Sequence, residues 1–477
     1  MKSLYILPLA AMLSMATACS SDDEPGENGG NNPSQQEAGA ERNLSRSIEI
    51  IDHAVENYFE GEGMKMARYY NPYSDTRSSE TGSVWMYTSS IEAVNAAMKG
   101  MKTLKEKGQS ALYDANFDRY RTLLASLYDN LEYYRGSYTL TSYTGTNTWS
   151  VYAVNRSSGK GSANVQQEQN VYDDQMWIIR ELLESYHITG DKNYLDHAEY
   201  LAAYVLDGWD CTLDADGNEN GGITWGPSYV TKHACSNGPM VSPAVWLHEI
   251  YKDKSDEITY GYILPDNSRA KRTEKKADYY LSMAEKIYRW QKENLYDSAT
   301  GVYSDMMGGD DTNGQVAYET VDGVTYRRHT HLRDRVGEFF TYNSGTMLSG
   351  AADLYRVTGD DTYLADLRTL SDRSFAYFAT ADSQRPGCYT FNILGFRNWF
   401  NGVLMRAYVD ALAYHDAAAD YIAAYQNNLD YSYDHHLYNH MLPPSLLVGW
   451  NRDRGNNKME AMFTFAFAAE YALLATK

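Results

Sequence analysis

Helical spacing of apolar residues continues almost unbroken from about residue 41 to residue 476, and it predicts an all-α fold. The pattern divides into twelve helices, which form six antiparallel pairs. Their predicted ranges are 41–60, 84–107, 111–136, 172–188, 191–207, 238–253, 272–294, 343–358, 361–378, 395–414, 416–428 and 457–476.

Two of the predicted helix pairs share a signature at the turn between their helices. Residues 186–195 (YHITGDKNYL) align with residues 355–364 (YRVTGDDTYL). The shared glycine can take the left-handed conformation that ends a helix, and the aspartate after it can cap the next helix. Helices joined by so short a turn run antiparallel. Six such hairpins with long, irregular insertions favour a closed (α/α)6 barrel over an open solenoid.

Three long connections interrupt the helical pattern. Residues 137–171 are predicted to form a loop or short hairpin, and residues 300–341 contain two β-rich runs around a turn at Asp322-Gly323. Residues 429–456 form the third connection. Loops of this length in a compact domain are usually functional or disordered, and the aromatic content of these three argues against disorder. We expect them to surround one mouth of the barrel.

The first residues have the composition of a secretory signal peptide, with a basic start and an apolar run over residues 4–15. The sequence Ala-Thr-Ala-Cys that ends at Cys19 resembles a bacterial lipobox. This resemblance implies cleavage after residue 18 and diacylation of Cys19, which gives a stable membrane anchor. The predicted organisation is a signal peptide over 1–18, a flexible acidic tether over 19–38 and one helical domain over 39–477.

The residues after Cys19, Ser-Ser-Asp-Asp-Glu, are similar to the signal that sends some Gram-negative lipoproteins to the outer face of the outer membrane. The prediction is therefore a surface-exposed outer-membrane lipoprotein, with a plain acidic linker on a periplasm-facing protein as the alternative. Cys211, Cys235 and Cys388 allow at most one internal disulfide, for which Cys211 and Cys235 are the nearest pair.

The charge of the chain limits its partners. There are 42 Lys and Arg residues against 63 Asp and Glu, a formal net charge of -21. Nucleic acids and anionic membranes are polyanions that such a surface repels, whereas a neutral sugar is not repelled. The 43 tyrosines and 9 tryptophans offer apolar faces with polar edges, which suit the surface of a sugar. We expect a sugar ligand, no nucleic acid and a monomeric protein.

The sharpest local feature is the pair Asp173-Asp174 at the predicted start of the fourth helix. Glycosidases need two carboxyl groups, one to protonate the leaving oxygen and one to attack or to activate water. Adjacent residues hold these groups roughly 5–7 Å apart, closer to the retaining spacing than to the inverting one. A helix N-terminus favours an ionised carboxylate, whose charge raises the pKa of its neighbour. The alternative is that both residues only cap the helix.

Several motifs around this pair resemble glycoside hydrolase family 76, the endo-α-1,6-mannanases. In the family's order, they are YDDQMW (172–177), GGITW (221–225), KHACSNG (232–238), GVYSD (301–305), YNSG (342–345) and FNGV (400–403). The resemblance spans roughly residues 80–475. It implies an (α/α)6 barrel and a retaining mechanism in which Asp173 is the nucleophile and Asp174 the acid/base.

The chain departs from the family's motifs at three positions. His233 replaces an asparagine, Ser344 a glutamine and Asn401 a lysine, and we expect these positions to border the cleft. They leave the two aspartates unchanged but put the linkage preference in doubt.

The remaining candidates are side chains near these motifs. The predicted sugar contacts are Trp225, Asn237, Asp305, Tyr342 and Asn343, although each could instead cap a helix or fill the core. Trp149 and Trp450 are possible stacking platforms on the long loops. The histidines match no metal-ligand spacing, so neither a metal nor a cofactor is expected.

Two other functions stay open at this point. One is a non-catalytic glycan-binding lipoprotein, which could also be anchored, helical and rich in aromatic residues. The other is an (α/α)6 glycosidase of different linkage specificity. The size of the products separates them: oligosaccharides from an endo enzyme, mannose from an exo enzyme, and none from a binding protein.

Overall fold

The computed structural model describes residues 33–391, 393 and 395–477. The predicted signal peptide, Cys19 and most of the predicted tether lie outside the described residues. The end of that tether is helical, because the first helix begins at Pro33 rather than at residue 41. Proline suits the first turn of a helix, where its missing N–H has no partner to lose.

All twelve predicted helices are present within the described residues. They are α1 (Pro33–Tyr58), α2 (Val84–Glu106), α3 (Ala111–Leu131), α4 (Tyr172–Thr189), α5 (Lys192–Asp207), α6 (Val241–Tyr251), α7 (Lys276–Leu295), α8 (Thr341–Thr358), α9 (Asp361–Phe378), α10 (Arg397–Ala411), α11 (Ala418–His436) and α12 (Ala461–Leu474). Five boundaries were predicted wrongly by four residues or more. Helix α1 begins eight residues early and α12 begins four residues late. Helix α3 ends five residues early, α7 begins four residues late, and α11 continues eight residues into the third predicted connection.

The helices form an inner and an outer ring. The even-numbered helices α2 to α12 contact one another in succession, and α12 closes the ring by packing on α2. The odd-numbered helices lie outside. Each of α3 to α11 packs on the inner helix that precedes it in the sequence, and α1 packs on α12. Helix α12 is apolar around nearly its whole circumference, as expected of a helix surrounded by protein. This closed arrangement confirms the predicted (α/α)6 barrel.

The inner helices begin at the same end of the barrel. The first turns of α2, α8 and α10 meet there, because Phe400 packs 5.9 Å from Trp85 and 4.3 Å from Tyr342 between ring centroids. At the opposite end, the later turns meet through the ion pair of Lys99 with Glu184. The end that holds the first turns is called the mouth below.

The repeated turns have the predicted geometry. Gly190 and Gly359 take φ values of 74° and 67°, in the left-handed region. The side chain of Asp191 accepts a hydrogen bond from the Asn193 N–H at 3.0 Å, and Asp360 does the same for Thr362 at 2.8 Å. Each turn therefore ends one helix and caps the next, as its sequence predicts.

Short strands fill the connections. They are β1 (Phe59–Glu60), β2 (Lys65–Met66), β3 (Tyr69–Asn71), β4 (Thr76–Arg77), β5 (Arg135–Thr141), β6 (Thr146–Tyr152), β7 (Lys232–His233), β8 (Glu257–Ile263), β9 (Arg269–Lys275), β10 (Tyr296–Asp297), β11 (Val302–Gly308), β12 (Tyr318–Val321), β13 (Val324–Arg327), β14 (Asp334–Phe339), β15 (Ala379–Ala381), β16 (Tyr389–Phe391) and β17 (Met459–Glu460). Strands β7, β10 and β14 pair with β11 in one antiparallel sheet.

Two of the three predicted connections contain the expected hairpins. Strands β5 and β6 form a seven-residue antiparallel pair, and β12 and β13 join through the turn at Asp322-Gly323, where both residues have positive φ. The hairpin of β8 and β9 was not predicted. Cys211, Cys235 and Cys388 are free and buried, so the described residues contain no Cys211–Cys235 disulfide. None of the described helices is both long and apolar enough to span a membrane.

Candidate active site

The paired aspartates lie in the first turn of α4, at the mouth of the barrel. The residue that caps this helix is Val171, whose side chain makes no capping hydrogen bond. The backbone N–H of Tyr172 donates instead to the Trp225 carbonyl at 2.8 Å, which joins the helix start to the glycine-rich loop over residues 221–238. Neither aspartate therefore occupies the N-cap position.

Asp173 has donors on one oxygen and none on the other. The Trp225 indole N–H donates to Oδ2 at 3.4 Å, and the thiol of Cys235 donates a further hydrogen bond to the carboxylate. Oδ1 is buried and has no hydrogen-bond partner within the described residues. Burial raises the pKa of Asp173 to about 6, and the hydrogen bonds from Cys235 and Trp225 limit this rise. The side chain is thus mostly ionised at neutral pH, and one of its oxygens is unpaired among the described residues.

Asp174 has a different environment. Its side chain is buried, and burial together with the negative charge of Asp173 holds its pKa well above the ordinary value. Two carboxyl groups whose environments separate their pKa values in this way are suited to opposite roles. Asp173 can supply a carboxylate while Asp174 supplies a proton.

The loop over residues 221–238 forms one wall of this site. Asn237 connects its two halves, because its side chain accepts from the Ile223 N–H at 2.8 Å and donates to the carbonyls of Ile223 and His233 at 2.9 and 2.7 Å. Asn237 is completely buried. The structure therefore places Asn237 beneath the wall, where it does not face the cleft, in contrast to the predicted sugar contact.

Three of the predicted contacts do come together around the nucleophile candidate. Cys235 hydrogen-bonds to the Tyr342 hydroxyl as well as to Asp173. Asp305 lies near the same thiol, and its carbonyl accepts from the Ala234 N–H at 2.7 Å. Burial, followed by the charge of Glu338, raises the pKa of Asp305 to about 6. Asp305 and Tyr342 thus accompany Trp225 and the two aspartates in one cluster.

Asn343 follows Tyr342 in the first turn of α8. It is completely buried, and neither of its amide atoms has a hydrogen-bond partner in the described part of the chain. A direct contact with sugar, as predicted for Asn343, would require an opening that the structure does not contain. Trp450, a predicted stacking platform, is half-buried, donates to the His436 carbonyl at 2.7 Å and packs edge-on against Tyr73.

Two further residues of the wall contact the site: His233, which was expected only to border the cleft, and Cys235, which was not predicted to act there. His233 stacks on Trp225 with ring centroids 5.0 Å apart, and burial lowers its pKa to about 4, so it is neutral. Cys235 contacts the proposed nucleophile. Both lie in the KHACSNG segment, and membership of that motif was the only feature of the sequence that could have indicated their place in the site.

The three departures from the family's motifs have different surroundings. His233 borders the site through Trp225, as expected. Ser344 is completely buried and accepts from the Tyr303 N–H at 3.3 Å, so it does not border the cleft. Asn401 accepts from the Thr341 hydroxyl at 3.1 Å, beside the start of α8. Among the described residues, no group of three or more His, Cys, Asp or Glu side chains could hold a metal ion.

The Cys235 thiol leads to a prediction about pH dependence. Replacing Cys235 with alanine removes a hydrogen bond to the ionised form of Asp173, which raises the pKa of that carboxyl. In the wild type, activity that needs ionised Asp173 is lost as the pH falls through about 6. In Cys235→Ala the acid limb of kcat/KM should move to higher pH by roughly half to one unit. Cys235→Ser keeps a hydrogen-bond donor and should return the acid limb to its wild-type pH. An acid limb that does not move in Cys235→Ala would contradict the role of Cys235 as a donor to Asp173.

Comparisons with known proteins point to one family and one fold. The model of glycosyl hydrolase family 76 matches residues 92–258 and 268–430. A family 76 mannosidase from Bacteroides thetaiotaomicron is similar in structure, with a TM-score of 0.65 and 18% identity over 91% of this chain and 98% of that one. Comparison with curated protein sequences gave no match.

Two further solved structures are similar to this chain, one from a mannanase and one from an enzyme with a different reaction. One is an inactive variant of the α-1,6-mannanase from Salegentibacter sp. HEL1_6, with two adjacent aspartates changed to asparagine, in complex with α-1,6-mannotriose. It has a TM-score of 0.60 and 18% identity over 91% of this chain and 99% of that one. The other is a cellobiose 2-epimerase from Bacillus thermoamylovorans, with a TM-score of 0.52 and 10% identity over 91% and 99%. The barrel alone therefore does not determine the reaction.

Proposed function

The chain belongs to glycoside hydrolase family 76, and on this basis we propose that it cleaves α-1,6-mannosidic linkages within mannan backbones with retention of configuration. The observation that carries the proposal is the pair of carboxyl groups at the start of α4, half-buried in Asp173 and buried in Asp174, whose surroundings separate their pKa values. The Salegentibacter α-1,6-mannanase, a structural relative, is described as inactive when two adjacent aspartates are changed.

The proposed reaction has two steps. Asp173 attacks the anomeric carbon of the mannoside while Asp174 donates its proton to the departing glycosidic oxygen, which leaves a covalent mannosyl–Asp173 ester. Asp174, now ionised, then removes a proton from water as the water attacks the same carbon and releases Asp173. The two inversions together give retention. Trp225 and Cys235 hold the Asp173 carboxylate in place through their hydrogen bonds.

The decisive experiment is incubation of the protein with unbranched α-1,6-mannan. We expect manno-oligosaccharides as the early products, with newly formed ends that are first α in the NMR spectrum. Mannose alone would indicate an exo enzyme, and initial β ends would contradict retention. If the protein cleaves another mannan but not this polymer, its specificity is for a different linkage. The observation that favours this second candidate is His233, which stacks on Trp225 in the wall of the site.

The location of the protein is a separate proposal, based on the lipobox-like sequence before Cys19. We propose that lipid on Cys19 anchors the enzyme to the outer membrane with the barrel facing outward. Cys19→Ala should move the protein from the membrane fraction to the soluble fraction. Protease added to intact cells should degrade the wild-type protein, and protection from protease would indicate the periplasmic face instead.

A further inference from the structure

A second cavity lies away from the paired aspartates, on the outer side of the barrel. It has a volume of about 540 Å³ and is bordered by the tip of the β5–β6 hairpin, by the β8–β9 hairpin and by helices α5 and α7. We call it the hairpin groove. None of its lining residues belongs to the cluster around Asp173 and Asp174.

Aromatic side chains form much of the hairpin groove. Tyr260 and Tyr262 from β8 line one wall, and Trp149 from β6 lines another, with Tyr279 and Trp209 also in the lining. Flat apolar rings with polar edges match the faces of pyranose rings. A cavity of this size is within the range of small-molecule sites.

The polar groups of the hairpin groove include atoms that are not used within the protein. The Trp149 indole N–H and Asp207 Oδ2 are buried and have no hydrogen-bond partner among the described residues. The other oxygen of Asp207 accepts from the Ser142 hydroxyl at 2.9 Å, so the carboxylate is held in place. Leaving a buried polar group unpaired costs stability, which a ligand that supplies the missing partner recovers. Both side chains line the groove, and each has one polar atom that is unpaired among the described residues.

The charges of the hairpin groove favour a neutral ligand. Glu219 is occupied by Lys286, whose ammonium lies 2.9 Å from the carboxylate, and by the Trp209 indole at 2.8 Å. Arg269 pairs with Glu319 at 2.7 Å. Two of the three cations that line the groove are therefore paired, and Lys271 is in no salt bridge among the described residues. A polyanion would also face the net charge of -21 of the whole chain. Sugar hydroxyls can both donate and accept, as the two unpaired atoms require.

We propose that the hairpin groove is a second carbohydrate-binding site, which holds a segment of the polymeric substrate outside the active site. The proposal deepens the proposed function and rests on it for the identity of the sugar, an α-linked mannan. Binding the polymer at two places raises the local concentration of cleavable chain near the mouth. The groove should therefore speed hydrolysis of the polymer when the polymer is dilute, and it should leave cleavage of short oligosaccharides unchanged.

Two substitutions test the hairpin groove with little risk to the fold. Tyr262→Ala removes a half-buried ring whose only described partner is Arg272, 4.9 Å from the ring centroid. Trp149→Phe removes the unpaired N–H and keeps an aromatic side chain against Tyr204. Tyr113→Ala is the matched control, because Tyr113 is also half-buried beneath a cation, Lys105, but lies on α3.

The measurements are electrophoretic retardation in gels that contain α-1,6-mannan, and kinetics on the polymer and on α-1,6-mannotetraose. Tyr262→Ala and Trp149→Phe should weaken retardation about three- to tenfold in Kd and raise KM for the polymer similarly. Their kcat/KM on the tetraose should equal that of the wild type, as should every value for Tyr113→Ala. Unchanged retardation of both groove variants, or a wild type that mannan does not retard, would overturn the proposal. A wild type that is retarded but cleaves neither substrate would instead refute the proposed function.

Discussion

Asp173→Asn and Asp174→Asn should each lower turnover of α-1,6-mannan by at least about 10²- to 10⁴-fold, while the folded structure and the binding of sugar persist. The amide at position 173 cannot form the mannosyl ester, and the amide at position 174 cannot deliver a proton to the leaving oxygen. Both losses concern interactions made only in the transition state, so kcat should fall far more than KM changes. Turnover and thermal midpoint should be measured on the same samples.

The two variants should differ from each other on activated substrates. A leaving group of low pKa needs little protonation, so Asp174→Asn should recover part of its activity on an aryl mannoside, whereas Asp173→Asn should not. Asp191→Ala is the control for helix capping, because Asp191 caps α5 through a described hydrogen bond. It should lose about 0.5–2 kcal/mol of unfolding free energy with normal turnover. Near-normal turnover in a destabilised Asp173→Asn protein would contradict the catalytic role of that residue and leave it a structural one.

The largest effect on stability is expected from Lys232→Met. The ammonium of Lys232 lies 2.8 Å from Asp210 Oδ2 and 2.5 Å from the Gly221 carbonyl, and both ionised side chains are buried. His329 completes the cluster, with Nδ1 2.8 Å from the same carboxylate oxygen. Removing the lysine leaves the Asp210 charge buried without its main partner. Such a change costs about 3–5 kcal/mol of unfolding free energy, which chemical denaturation at pH 7 would measure.

The pH dependence of this cost has a definite sign. Lys232, followed by His329, holds the pKa of Asp210 well below its ordinary value in the folded protein. A depressed pKa contributes stability above the unfolded value of about 3.9, and this contribution is lost as the pH falls towards the folded value. The difference between Lys232→Met and the wild type should therefore shrink in acid. Lys160→Met is the control: its pair with Asp129 is exposed, so at most about 1 kcal/mol should be lost, and an equal loss in both variants would contradict the account.

The parts of the fold that were predicted correctly depend on local sequence. The turns at Gly190 and Gly359 need only a glycine followed by a capping aspartate, and the turn at Asp322-Gly323 needs only two residues that tolerate positive φ. The unpredicted hairpin of β8 and β9 depends on pairing between strands. The charged sequence of β9 (RAKRTEK) lacks the apolar alternation of a half-buried strand, so its residues were partly assigned to α7.

The candidate site also contains features that follow from local sequence and features that depend on distant contacts. The positions of Asp173 and Asp174 at the start of a helix follow from the sequence around them. The contact of Cys235 with Asp173 does not, because it requires the loop over residues 221–238 to be folded against α4. Asn237 and Asn343 share the polarity of a sugar contact, and their complete burial became apparent only from the packing around them. Sequence motifs identified the neighbourhood but not which side of the wall each residue occupies.

Closure of the inner ring by α12 also has a consequence for the time course of folding. Helices α1 and α2 have their largest interhelical packing partner in α12, which the ribosome completes about 400 residues later. At ordinary elongation rates this interval is roughly 20 to 80 s. During this interval the faces of α1 and α2 that pack on α12 in the folded protein lack that neighbour. The barrel must therefore mature after synthesis of α12, and contacts between residues so distant in sequence make that step slow.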